Sequence, residues 1–270
     1  MRLRTVSLLA AAGLVAGPLL AHDMFLRPDS HFVPAGTKVL IRLLNGTFTK
    51  SENAITRDRL LDVAIVSPAG RVALDTAQWG VMGDTSTFML TTGASGTYVL
   101  GTSTRPKVLA MKGADFNAYL AEDGVPDELA ARRRDGRLDE GSRERYHKHV
   151  KALVQVGAEP SNHFGTVLGY PSEIVPLANP YALKVGATLP VRVLSGGKPV
   201  ASQFVQYGGR TTTGGRVPQR STRTDAEGVA RIPLDRVGDY YVKIIHMRRL
   251  TADADANYES RWSTLTFAMR

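Results

Sequence analysis

The sequence predicts a mainly β chain: two antiparallel β-sandwich domains joined by a helical segment. Three observations carry that expectation. Short runs of alternating apolar and polar residues recur in both halves, separated by Gly- and Pro-containing turns. The middle of the chain changes to apolar residues at helical spacing. The chain has no cysteine, so it holds itself together by its apolar cores alone.

The start, MRLRTVSLLAAAGLVAGPLLA, has Arg2 and Arg4, then an apolar stretch from Val6 to Ala16, then Pro18 and a small residue, Ala21. That is the layout of a secretory signal peptide over 1–21, with cleavage before His22 and export to the periplasm. The apolar stretch is short for a membrane span, and no later segment is apolar enough for one. The net charge of +9 falls by the two charges of Arg2 and Arg4 to +7 in the mature chain. The arginines are spread along the sequence and the chain is exported, so the charge reads as solvation rather than as a nucleic-acid surface.

A first β-domain is expected over 22–106. Val39, Ile41 and Leu43 share one face of a strand. Val63 and Ile65 precede the turn Ser67-Pro68-Ala69-Gly70, and Val72 and Leu74 follow it. A helical connector is expected over 107–162. Phe116, Tyr119 and Leu120 have helical spacing, with Gly124 as a stop. In SRERYHKHVKALVQVG, Tyr146, Val150, Leu153 and Val154 form a second helical stripe ending at Gly157. The basic run Arg132–Arg137 reads as a solvated face. A second β-domain is expected over 163–270. Its block TDAEGVARIPLDRVGDYYVKIIHM looks like the small Ig-like or prealbumin-like domains attached to many exported proteins.

No HExxH, CxxC, GxSxG or phosphate-loop pattern occurs, so the common hydrolase and nucleotide readings lack support. The six histidines are His22, His31, His147, His149, His163 and His246. Processing at Ala21–His22 makes His22 a chelator, with its α-amine and its ring on one residue. A second imidazole completes a three-nitrogen set suited to copper, nickel or cobalt. The alternative for His22 is the first residue of a frayed terminus. His246 is the expected partner, because Tyr240, Val242, Ile244 and His246 share the apolar face of a strand. The alternative is a core histidine satisfied by the backbone. His31 is the candidate third ligand. His147 and His149, two apart on a helix, point about 200° from one another and are expected on the surface. His163 carries no further signal.

The segments AHDMFLRP, ERYHKHVKALVQVG, LGYPSEIVPLANPYAL, TDAEGVARIPLDRVGDYYVKIIHM and YESRWSTLTF together resemble a bacterial family of exported proteins. The family carries a domain of unknown function, and its members are often labelled periplasmic components of cobalt or nickel uptake. The resemblance spans nearly the whole mature length. It implies metal handling outside the inner membrane, with His22 and His246 as the metal residues. Glu173 and Glu259 fall in matching segments, either as carboxylates that orient a ligand imidazole or as buried salt bridges with arginines. Where the family usually has tryptophans, this chain has Phe25 and Tyr258.

The resulting expectation is a non-enzymatic periplasmic protein that binds a divalent ion of nickel, cobalt or copper and passes it to a metal transporter of the envelope. An Ig-like accessory protein for a polymer or protein partner is the alternative. A copper-dependent polysaccharide oxidase, which also uses an N-terminal histidine, is the third.

Overall fold

The computed structural model describes residues 22–74 and 78–270, so the expected signal peptide lies outside the described residues. The first half runs β1 (Asp23–Pro28), β2 (Phe32–Val33), β3 (Lys38–Gly46), β4 (Leu60–Ser67), β5 (Gly70–Ala73), β6 (Trp79–Met82), β7 (Thr85–Thr91), β8 (Gly96–Thr104) and β9 (Lys107–Met111). Two helices follow, α1 (Gly113–Glu122) and α2 (Pro126–Arg134). The second half runs β10 (Ser142–Val156), β11 (Ser172–Pro176), β12 (Thr188–Ser195), β13 (Lys198–Pro199), β14 (Phe204–Thr211), β15 (Arg216–Arg223), β16 (Val229–Pro233), β17 (Gly238–Arg249) and β18 (Tyr258–Met269).

The strands form a three-layer sandwich. Its centre is a 10-stranded sheet with the path β15-β14-β17-β18-β10-β8-β4-β5, to which β2 and β9 add by pairing with β10. One face carries the 4-stranded sheet β1-β3-β7-β6, and the other carries the 4-stranded sheet of β11, β12, β13 and β16. Two apolar cores fill the gaps. Ile41, Leu43, Phe88, Leu100, Val150 and Val154 pack between the first sheet and the central one. Val191, Ile232, Tyr240, Val242, Leu265 and Phe267 pack on the opposite face. Fully burying each such side chain is worth about 1.5–3 kcal/mol, so both faces of the central sheet are strongly specified.

The mainly β, sandwich-like expectation holds, and so does the helix with Phe116, Tyr119 and Leu120 on its buried side. That helix ends at Gly124, whose φ of +87° suits glycine. The second predicted helical stripe is corrected: Ser142–Val156 is β10, a 15-residue strand. Tyr146, Val150, Leu153 and Val154 fit a helical stripe only because both faces of β10 are buried, and a strand buried on both faces loses its alternation. β10 also pairs parallel with β18, from Glu144↔Tyr258 to Ala152↔Thr266. A parallel pair needs a long crossover, and here the crossover is most of the second half. The helical part of the 107–162 connector therefore shrinks to α1 and α2, and one sheet runs through both halves.

The basic run is corrected as well. Arg132 is fully buried, and Arg137 is 8% exposed. Arg132 donates to Asn117 Oδ1 at 2.8 Å and to Tyr258 OH at 3.2 Å, and stacks over Phe116 at 4.8 Å. Arg137 donates to the same Tyr258 OH at 2.7 Å. Arg132 and Arg137 thus tack the helices onto β18, while Arg133 and Arg134 face water as expected.

Candidate functional site

The first described residue, His22, opens directly into β1, and the chain there is held tightly. Lys148 Nζ donates to the His22 carbonyl oxygen and, at 3.3 Å, to Asn45 Oδ1. Lys243 Nζ reaches Asp23 Oδ2 at 2.6 Å. Thr264 Oγ1 donates to the Met24 carbonyl at 2.7 Å. Lys148, Lys243 and Thr264 belong to three neighbouring strands of the central sheet, so the sheet itself positions residue 22. Burial lowers the Lys148 ammonium to about 8. A buried ammonium is retained only when oxygens satisfy it, and the His22 carbonyl and Asn45 Oδ1 supply them.

The loop after β3 brings Glu52 alongside. Glu52 N donates to Asn45 O at 2.9 Å, and Asn45 N donates to Ser51 Oγ at 3.1 Å. The loop folds back so closely that a Cβ at Gly46 would meet Lys50 O. Glu52 Oε2 then stands 3.3 Å from His22 Nε2.

His22, Asp23, Glu52, Asp123, Arg210 and Arg216 are among the residues that line a cavity of about 700 Å³. Its floor is aromatic: Phe25 packs at 5.4 Å from both Phe48 and Tyr241. Asp123, at the end of α1, has a buried Oδ2 with no hydrogen-bond partner among the described residues. Burial, reinforced by the charge of Asp23, pushes its carboxyl up to about 7. An imidazole and carboxylates lining one cavity, one of them with a raised carboxyl pKa, mark a candidate binding site on physical grounds.

The structure does not bring His246 to His22. Lys243, which reaches Asp23, lies on one face of β17. His246, three residues on, lies on the other. His246 Nδ1 bonds Gln203 Oε1 at 3.0 Å, and burial, then Arg261 and Arg248, hold its ring below the usual imidazole range. The pairing of these two histidines in one site is therefore corrected. β17's apolar face is the core face, as the alternation indicates, but that core is the second one, across the sheet from His22. His31 is 2% exposed with Nδ1 on Leu153 O at 2.7 Å, a core histidine rather than a ligand of His22. His163 Nδ1 bonds Ser161 Oγ at 2.8 Å in a turn.

His147 and His149 depart furthest from expectation. Because β10 is a strand, their spacing puts both on one face, and both are largely buried. Glu173 forms the expected buried salt bridge, but with Lys151 rather than an arginine. Glu259 is paired by Arg248 and Arg261. The signals that sequence reading missed are Glu52 and Asp123, lone carboxylates in a loop and at a helix end. Among the described residues, no group of three or more His, Cys, Asp or Glu side chains stands close enough together to hold a metal ion as placed, and no helix is long and apolar enough to cross a membrane.

A family profile, that of a domain of unknown function (DUF4198), matches residues 19–248. No curated protein matches the chain.

Proposed function

The chain belongs to the DUF4198 family, and we propose that it is an exported, non-enzymatic protein that binds a divalent transition-metal ion at the cavity where His22 begins the mature chain. The observation that carries this reading is the pairing of His22 Nε2 with Glu52 Oε2 at 3.3 Å, at the residue where a cut after Ala21 would free an α-amine. The ligands would be the His22 amine and the His22 Nδ1, which close one chelate ring, while Glu52 on Nε2 would fix the tautomer and orientation of that ring. An amine and an imidazole nitrogen suit nickel, cobalt and copper better than magnesium or calcium. The protein would carry its ion in the periplasm towards an envelope transporter.

The test is calorimetric titration of nickel and copper into the chain beginning at His22 and into a chain with one extra residue before it. The extension leaves both side chains and the fold intact and removes only the free amine next to His22. It should weaken binding at least tenfold, as should His22→Ala. Equal affinity in the extended chain would overturn the reading. Because the ligands bind only when deprotonated, affinity should also fall as pH is lowered.

A further inference from the structure

The face of the central sheet turned away from His22 carries a second group of metal-competent side chains. His147 and His149 project from β10 onto that face, with ring centroids 4.8 Å apart and planes at 79°. Ser103 Oγ bonds His149 Nδ1 at 2.8 Å and so orients the ring. Nε2 of His149 and Nε2 of His147 are both buried with no hydrogen-bond partner among the described residues. The Oγ of Ser263, directly opposite His149 in the ladder, is in the same condition. A buried polar group left without a partner destabilises the fold, so a cluster of them asks for a ligand.

The carboxylate beside them is divided in its duties. Glu259 Oε2 takes both arginines, Arg248 Nε at 2.7 Å and Arg261 Nη2 at 3.1 Å. Its other oxygen, Oε1, stands 4.0 Å from His147 Nε2, too far for a hydrogen bond. The arginines thus anchor the carboxylate and leave one oxygen facing the imidazole.

We propose that His147 Nε2, His149 Nε2 and Glu259 Oε1 form a second metal centre, distinct from the His22 cavity, that takes a divalent transition-metal ion such as zinc. The distances fit. With metal–ligand bonds of about 2.0–2.2 Å, tetrahedral ligand atoms lie about 3.4 Å apart, so Glu259 must move by about 0.6 Å. Two rings whose Nε2 atoms were aimed at one ion would, at the observed centroid separation, subtend about 100° there, near tetrahedral. The carboxylate offsets the ion's charge, and Arg261 is kept in place by Pro171 O at 3.3 Å and Ser195 Oγ at 3.1 Å. Two nitrogens and one oxygen favour zinc, nickel or copper over calcium or magnesium.

The test uses the full mature chain carrying one extra residue before His22, which disables the first site and keeps the two proposals separable. Zinc is titrated while the histidine ring nitrogens are followed by ¹⁵N NMR. One equivalent should bind, and the Nε2 resonances of His147 and His149 should shift while those of His31 and His163 stay. His149→Gln and Glu259→Gln should each weaken zinc at least tenfold, and His246→Gln should leave it unchanged. The unaltered side chains in the NMR arm keep the test decisive if a buried variant fails to fold. No zinc bound, or shifts confined to other histidines, would overturn the proposal. If the extension leaves metal at the first site while the His147 and His149 shifts appear, the His22 reading fails and this one stands.

Discussion

Replacing Glu173 by glutamine should be among the most damaging single changes in the protein. Glu173 Oε2 pairs with Lys151 Nζ, and the two side chains are 1% and 3% exposed. The carboxylate also accepts three backbone N–H groups, from Leu168 at 2.9 Å, Gly169 at 2.7 Å and Tyr170 at 2.8 Å. Lys151 has far less: besides Glu173 it has Thr166 O at 3.1 Å. Burial already lowers the Lys151 ammonium below its ordinary range, and Glu173 is what opposes that. Removing one partner of a buried pair costs about 3–5 kcal/mol. At about 2–4 °C per kcal/mol for a chain of this size, Glu173→Gln should lower Tm by about 6–20 °C. The reciprocal change is milder. Lys151→Met leaves a carboxylate that still has three donors, so it should cost about 1–3 kcal/mol. The double variant should be no worse than Glu173→Gln alone, since the stranded charge is gone. Urea and thermal unfolding followed by circular dichroism measure all three. If Lys151→Met costs as much as Glu173→Gln, the asymmetry drawn from the hydrogen bonds is wrong.

Three other outcomes are expected. The Asp123 carboxyl, raised to about 7, gives stability that is full below the ordinary carboxylate range and lost as pH rises through about 7; urea midpoints at pH 5 and 8 should differ, and Asp123→Asn should flatten that difference. Arg132→Lys should cost about 2–4 kcal/mol by thermal melt despite keeping the charge, because an ammonium cannot span Asn117, Tyr258 and Glu140 O or stack on Phe116 as the planar guanidinium does. Gly209→Ala should give little folded protein on expression, since its Cβ would collide with Asp239 O where β14 pairs with β17, whereas Gly36→Ala, with open space at its own turn, should express and lose only the modest cost of its φ of +73°.

The β-strands and turns of both halves and the helix at Phe116–Leu120 are determined by local patterns, and local patterns are legible in the sequence. Alternation marks a strand that has one wet face, and apolar spacing with a glycine stop marks a helix. The fate of His147 and His149 is a different matter. β10 has two buried faces, so its text carries no alternation, and the same residues satisfy a helical stripe. Its identity as a strand depends on β18, more than a hundred residues later, which pairs with it from Glu144↔Tyr258 onward. The same holds for His22 and His246. Sequence chemistry singles out His22 by the expected cut and His246 by its strand, but not whether they face one another. That is decided by which sheet covers which face: β1 lies against Lys243 and Thr264 on one side, and His246 points to the other. Glu52 and Asp123 join His22 only because a loop and a helix end converge there, and convergence of distant segments leaves no trace in the spacing of residues along the chain.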